Sequence, residues 1–423
     1  MKRHFVAVTG ALAVSACAFG NAQAPARLVN GIEWSGRGIW LKTDLHTHTR
    51  FSDGRLPVEQ VVAAAAGNGC DVVAITDHAD GRLKAATQEY VDAIRSARSQ
   101  TPGVTVITGL EWNLPPGKGL EHAAVLFPGK SEDLSTLAAF KDRFDDFNKK
   151  GENPSLALEG LAALTPADRS AVAPVVIVNH PSRRPHSESA PRLTIDALKR
   201  AAPSILIGLE GAPGHQQADP LGAYPRDVQL IDRWDPLAAE VGGAWDTWLR
   251  SGLDIWAAIA NSDFHDAGDF PPCQFASTWV YAPDRTVDGV IRALRAGSFF
   301  AEHGHIVTEV ELRATFDGQP RPFVPGETVA TAAGARVNVT LKMKIPARDY
   351  AGEQNRIDNV ELIGVSAQET RVLFSGAAGS PEAFSTSVPV PAGGIVLRAR
   401  GRRGIGTEPG LMFYTNPIRI VAP

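Results

Sequence analysis

From residue 39 to about 300 the chain repeats one pattern. A short run rich in valine and isoleucine is followed by a stretch whose apolar residues recur near every 3.6 positions. GIWLKTDLH, DVVAITDH, VTVITGLEW, HAAVLF, VVIVNHP, SILIGLE and LDIWAAIANSD read as strands. PVEQVVAAAAGNG, QEYVDAIRSARSQ, spans around 131–149 and 155–163, IDALKRAA, a span near 227–250 and VDGVIRALRAG read as helices, the first ending on a glycine suited to a C-cap. Short apolar strands alternating with helices argue for parallel strands buried on both faces. Seven or so of them suggest a closed barrel rather than an open sheet, so the fold class expected is α/β.

From about residue 305 the texture changes. VTEVELRATF, ARVNVTLKMKI, DNVELIGV, ETRVLFSG, GIVLRARG and GLMFYTNPIRIV alternate apolar and polar residues with period two. Gly, Pro and Asp separate them and no helical stretch intervenes, which predicts a small antiparallel β-sandwich. The boundaries expected are 39–304 for the α/β domain and 305–423 for the β domain. A length of 423 residues suits two domains, and 44% hydrophobic residues suffice for sizeable cores.

The first 24 residues begin with Lys2, Arg3 and His4, continue with an apolar run and end in small residues, the pattern of an export signal. Two processing outcomes compete. Val14-Ser15-Ala16-Cys17 resembles a lipobox, which would leave Cys17 lipidated; Ala22-Gln23-Ala24 resembles a cleavage site for a soluble product. Residues 25–38 are expected to be a linker. The protein is expected to be exported, periplasmic or lipid-anchored at a bacterial envelope, with membrane contact only through that anchor. Export permits disulfides. Cys70 is expected before one strand and Cys273 after another, at opposite ends of a parallel sheet, so Cys70 is read as a buried free thiol rather than a partner of Cys273.

A net charge of −4 without a long run of one sign argues against a nucleic-acid surface, because phosphate backbones demand concentrated Lys and Arg. No GxGxxG or GxxxxGK[ST] loop is present. The partner expected is a small-molecule substrate.

Chemistry concentrates at the strand ends. In DLHTHTRFSDG, Asp44, His46 and His48 lie two apart, which turns them to one side of a strand, and Asp53 follows. Asp77 and His78 close the second strand and Glu111 the third. His122 opens HAAVL, Asn179 and His180 close VVIVNHP, and Asp263 and His265 close LDIWAAIANSD. The C-terminal end of a parallel barrel is where catalytic groups gather. One strand-end histidine is ordinarily a hydrogen-bonded surface residue. So many carboxylates and imidazoles at one rim are costly to desolvate unless cations neutralise them. Mixed His, Asp and Glu without Cys favours Zn, Mn or Fe.

The combination DLHTHTRFSDG…TDH…GLEW…H…NHP…SDFH resembles the PHP (polymerase and histidinol phosphatase) superfamily of metallohydrolases over about 41–300. An exported domain of this kind followed by a β domain ending in TNPI looks like the carbaryl-hydrolase-like branch. The resemblance implies a distorted seven-stranded β/α, TIM-like barrel with two or three divalent ions. It implies that His46, His48, Glu111 and Asp263 hold one ion, that Glu111 bridges to a second held by His122 and His180, and that Asp53, His78 and His265 hold a third. Asp44 is expected to orient a ligating histidine, with Asp77 doing likewise or capping a turn. Arg50, Arg183 and the neighbouring Arg184 are candidates to hold a phosphate through the guanidinium fork. His303 and His305 are read as exposed loop histidines and His215 as a polar loop residue. The loop 211–226, rich in Pro and Gly, is long enough to cover the site.

The activity implied is a metal-dependent phosphoesterase acting on small phosphate mono- or diesters. Carbamate, ester or amide hydrolysis by the same centre is the alternative, and a non-catalytic surface binding protein is the reading from another class.

Overall fold

The computed structural model describes residues 26–423 apart from 80–82, 118–120, 146–152, 154, 169, 184–193, 379–381 and 405–408. The expected signal segment and lipobox at Cys17, and Arg184, lie outside the described residues. Among the described residues no helix is long and apolar enough to cross a membrane.

The chain is a mixed α/β protein built on one large sheet. Strand Ile39–Asp44 runs parallel to Val72–Ile75, which runs parallel to Thr105–Asn113. Burial on both faces explains why these strands are almost wholly apolar: Val72, Val73, Ala74 and Ile75 are all buried. The expectation of parallel strands fails at His122–Leu126, which runs antiparallel to both Thr105–Asn113 and Val175–Val178. Residues 114–121 are too few for the crossover that a parallel return requires. The reversal has a functional result. His122 opens its strand yet faces Asn113, at the end of the preceding one, so it reaches the same rim as residues that close theirs. Val175–Val178 then pairs in parallel with Leu206–Leu209.

LDIWAAIANSD is not a regular strand. It is an extended segment tied by isolated parallel bridges, Gly208 to Trp256 and Ala212 to Ala260 on one side and Thr47 to Phe264 on the other. Gly208 makes the tight approach possible, since a Cβ there would lie 1.9 Å from the Trp256 carbonyl oxygen. Hydrogen bonds from Asp263 N to His46 O and from His48 N to Phe264 O bring the segment beside the first strand's continuation.

Helices cover this sheet. In Gln88–Gln100, Tyr90, Val91, Ile94 and Ala97 are buried, and Thr87 caps the N-terminus by accepting from Tyr90 N. Val287–Ala296 is capped by Thr286 and stops at Gly297, which has φ +73°. The single helix expected near 227–250 is instead two, Pro236–Ala239 and Ala244–Arg250. Gly242, at φ +83°, and Gly243 break it.

The expectation for the cysteines is overturned: Cys70 and Cys273 form a disulfide, with Cα atoms 5.7 Å apart. Cys273 does not stay at the rim with Asp263. The chain turns back after His265, so that Cys273 N donates to Asp44, and Asp44 pairs with Val73, three residues from Cys70. A link between residues 203 apart in sequence removes much of the unfolded chain's freedom.

The C-terminal region also departs from expectation. Glu309–Thr315, Arg336–Lys344 and Glu382–Pro389 form a separate three-stranded antiparallel sheet. The other strands join the large sheet: Leu411–Thr415 pairs with Phe299–His303, which pairs with Ala276–Ala282, which pairs with Ile39–Asp44. Thr328–Ala330 runs parallel to Ile418–Val421, so the region is not purely antiparallel. Within 25–38, Arg27–Asn30 is a strand paired with Thr328–Ala330, not a linker. Val310, Leu312, Val339 and Leu341 of the small sheet share a core with Phe300, Leu362, Leu397 and Phe413 of the large one.

Candidate metal centre

The rim gathers side chains from six separate stretches. His46 Nε2 lies 3.2 Å from Glu111 Oε1 and 3.1 Å from Asp263 Oδ1. His48 Nε2 lies 3.2 Å from Glu111 Oε2, 3.3 Å from Asp263 Oδ1 and 3.1 Å from His46 Nε2. Glu111 Oε1 also meets His122 Nδ1 and His180 Nε2, each at 3.3 Å. At the outer edge Asp53 Oδ2 lies 3.3 Å from His265 Nε2 and 3.6 Å from His78 Nε2, while Asp53 Oδ1 lies 3.2 Å from His48 Nδ1. His46, His48, Glu111 and Asp263 are almost wholly buried, whereas the Asp53 side chain is 50% exposed and marks the mouth.

These spacings test whether ions fit. Donors bound tetrahedrally to an ion at about 2.0–2.1 Å stand about 3.3 Å from one another. The contacts among His46, His48, Glu111 and Asp263 run from 3.1 to 3.3 Å. His78 Nδ1 is buried and 3.1 Å from Glu111 Oε2, yet makes no hydrogen bond among the described residues. Groups that converge on a shared point rather than on each other behave in this way, and the residues present fit divalent ions.

The electrostatics agree. Burial opposes a charge on His46, yet the Asp263, Glu111 and Glu210 carboxylates raise its pKa well above the usual range. Burial would raise Glu111, but His122, His78 and His46 hold it well below. Burial, then the Arg183 guanidinium, lowers His180 to about 3, and burial lowers His78 to about 4. Neutral imidazoles keep a lone pair for an ion, and the carboxylate field that draws protons to His46 draws a divalent cation equally.

The supporting residues were only partly legible. Asp44 stands behind the rim, fully buried, accepting from the backbone N–H groups of His46, Ser262 and Cys273. Burial raises it to about 6. The task expected of it, orienting a ligating imidazole, falls to Glu210. The Glu210 carboxylate bonds His46 Nδ1 at 2.8 Å and also accepts from His180 N and from Asn261 Nδ2. Glu210 closes SILIGLE as Glu111 closes VTVITGLEW, which is the signal that would have found it. Asn179 donates to Glu111 Oε1 at 2.7 Å. Asp77 accepts from Thr49 N, Thr49 Oγ1 and Ser52 Oγ, pinning the turn after His48.

Of the arginines, Arg50 is exposed and its guanidinium makes no ion pair among the described residues. Arg183 is at the site, with Nη1 2.7 Å from Asp263 Oδ2 and Nε donating to Gly222 O. His215 is not a bystander: its ring bonds Asp263 and Asp269 and lies 5.0 Å from that of His265. His303 is not an exposed loop residue. It is buried beside Phe275 and Trp234, with Nε2 donating to Asp232 O and Nδ1 accepting from Met412 N. His305 is half-buried.

A family model for the PHP domain matches residues 44–189. The chain carries a PHP domain. That domain and its donor set make it a hydrolase, and the family implies divalent metal ions. Three solved structures are similar to it at low identity and low TM-score. One is a two-domain protein from Bacteroides vulgatus containing a predicted PHP-like metal-dependent phosphoesterase. It is 15% identical over 89% of this chain and 93% of that one, with a TM-score of 0.42. A protein of Bifidobacterium adolescentis assigned as a metal-dependent phosphoesterase is 16% identical over 53% of this chain and 88% of its own, with a TM-score of 0.31. An amidohydrolase from Chromobacterium violaceum, with bound sulfate and no metal, is 18% identical over the same shares, also with a TM-score of 0.31. No curated protein matches the chain.

Proposed function

We propose that this PHP domain is a phosphoesterase that hydrolyses small phosphate mono- or diesters with two or three divalent ions, drawn from Zn, Mn or Fe. The observation that carries this reading is Glu111. Its Oε1 faces His46, His122 and His180 at 3.2–3.3 Å and its Oε2 faces His48 and His78 at 3.1–3.2 Å, so that both oxygens meet imidazoles, which is the placement of a carboxylate shared by two ions. His46, His48, Glu111 and Asp263 would hold one ion, and Glu111, His122 and His180 a second. Asp53, His78 and His265 would hold a third nearer solvent. The supporting frame is a distorted seven-stranded barrel in which residues 254–265 supply the seventh member, followed by a β-sandwich.

Bound divalent ions acidify water and polarise the oxygen of a scissile ester. The chain's own residues do the rest. Glu210 and Asn179 fix the orientation of His46 and Glu111. Arg183 favours a phosphate over a neutral ester: its buried Nη2 makes no hydrogen bond among the described residues, leaving a charged donor for a phosphate oxygen. We place the enzyme outside the cytoplasm, acting on a small molecule and not on nucleic acid.

The test is a substrate panel run on metal-analysed protein: an aryl phosphate, a bis-aryl phosphate and an aryl carbamate. Turnover of the phosphates is expected. Turnover of the carbamate alone would transfer the reading to the carbaryl-hydrolase-like branch, and no turnover with ions bound would make the chain a binding protein.

A further inference from the structure

One oxygen of Asp263 is already taken. Oδ1 faces His46 Nε2 and His48 Nε2 at 3.1 and 3.3 Å, whereas Oδ2 meets Arg183 Nη1 at 2.7 Å and His215 Nε2 at 3.2 Å. The His215 ring is held from its other side, with Nδ1 2.6 Å from Asp269 Oδ1. Asp269 is fixed in turn, because its Oδ2 accepts from His265 N at 2.8 Å. His215, His265 and Asp269 come close enough to suggest a further cation site. They do not form one, because His215 Nδ1 is engaged by Asp269 and His265 Nδ1 by the Asp263 carbonyl.

The backbone is shaped to deliver His215. The loop is pressed against Ser262 and Asp263 so closely that a Cβ on Gly214 would lie 2.1 Å from Asp263 Cβ and 2.3 Å from the Ser262 carbonyl oxygen. His215 itself has φ +53°, a conformation that favours glycine and persists in another residue only where its surroundings enforce it. They do: His215 N donates to Ser262 O, its carbonyl accepts from Ala218 N and Gly222 N, and Arg183 Nε donates to Gly222 O.

We propose that the Asp269–His215 pair, together with Arg183, is a positioning device for Asp263. It occupies Oδ2, so that Oδ1 alone is presented towards His46 and His48 and would be the one oxygen offered to an ion held there. This inference rests on the metal reading above. The loop 211–226 thus acts on the centre through a carboxylate, and not simply as a cover.

The test titrates metal-free protein with cobalt(II), read by the visible absorption of bound cobalt and by equilibrium dialysis, with circular dichroism as the check on folding. His215→Ala is expected to weaken one ion about 10–100-fold, alter its absorption and leave the remaining ions in place. His215→Gln, whose amide can still donate to Oδ2, is expected to recover most of that affinity. Should His215→Ala fold poorly, Asp269→Asn, which preserves the shape of the pair, is expected to weaken the same ion by a smaller factor. Wild-type affinity and absorption in His215→Ala, or no gain from Gln over Ala, would overturn the positioning role alone. Wild-type protein that takes up no cobalt would sink the metal reading, and the positioning role with it.

Discussion

Two buried charge clusters in this molecule are built on opposite plans. At the junction of the N- and C-terminal regions, Arg398 and Asp246 are both fully buried and answer each other. Nε and Nη2 meet the two carboxylate oxygens at 2.8 and 3.0 Å, and the guanidinium lies 4.5 Å from the Trp245 ring. At the rim, His46, His48, Glu111 and Asp263 are as deeply buried, but donors there face donors across 3.1–3.3 Å. The first cluster balances its charges within the chain, with only Arg398 Nη1 lacking a hydrogen-bond partner among the described residues. The second becomes complete only with cations from outside, and that difference separates a structural buried charge from a functional one.

The largest expected effect breaks the rim. Glu111→Ala should lose ions from both sides of the carboxylate, and turnover should fall at least about a thousandfold, ~4 kcal/mol of transition-state stabilisation. Metal analysis beside steady-state kinetics reads both; retention of full metal content would refute the shared-carboxylate scheme.

The junction should fail differently. Arg398→Met leaves the Asp246 charge without its counter-ion, with only Gly242 N still donating to it, and should cost about 3–5 kcal/mol in denaturant unfolding. Arg398→Met combined with Asp246→Asn, which keeps the acceptor for Gly242 N, should recover most of that loss. At the rim no such neutral pair can replace the function. If the double variant is no more stable than the single one, the junction's charge pairing is not what matters there.

A third plan sharpens the comparison at smaller scale. Glu302 is buried and makes no ion pair among the described residues, and burial raises its carboxyl to about 7 against the opposing charge of Lys42. The folded chain therefore holds a proton that the unfolded chain releases above the usual 4.5. Stability contributed by that proton is present at low pH and declines as pH rises from about 4.5 to 7, by on the order of 3 kcal/mol. Glu302→Gln, which still accepts from Ile306 N, should lose this dependence. Melting curves across that range measure it, and an unchanged slope in the variant would assign the dependence to other groups.

Much of the site was legible because strand alternation and strand ends are local properties. The two-residue spacing of His46 and His48, and the positions of Glu111, His180 and Asp263 at the close of apolar runs, follow from residue order alone. His122 was legible as a rim residue only through the short link before it, which forces its strand to reverse. Glu210 and Asp269 were not singled out, and His215 was read only as a polar loop residue. Their roles depend on what stands opposite them: the His46 ring for Glu210, and Asp263 for the pair that a tightly docked loop brings in.

Residue order by itself thus determined the alternating elements, the apolar strands and the crowd of ion-seeking side chains at their ends, because periodicity and burial act over a few residues. Tertiary structure alone decided which oxygen of Asp263 stays open, that Cys70 meets Cys273, and that strands from the C-terminal region extend the large sheet. Those outcomes hang on the approach of segments far apart in sequence. A shift of an ångström in that approach separates an engaged donor from a free one, and no local pattern encodes it.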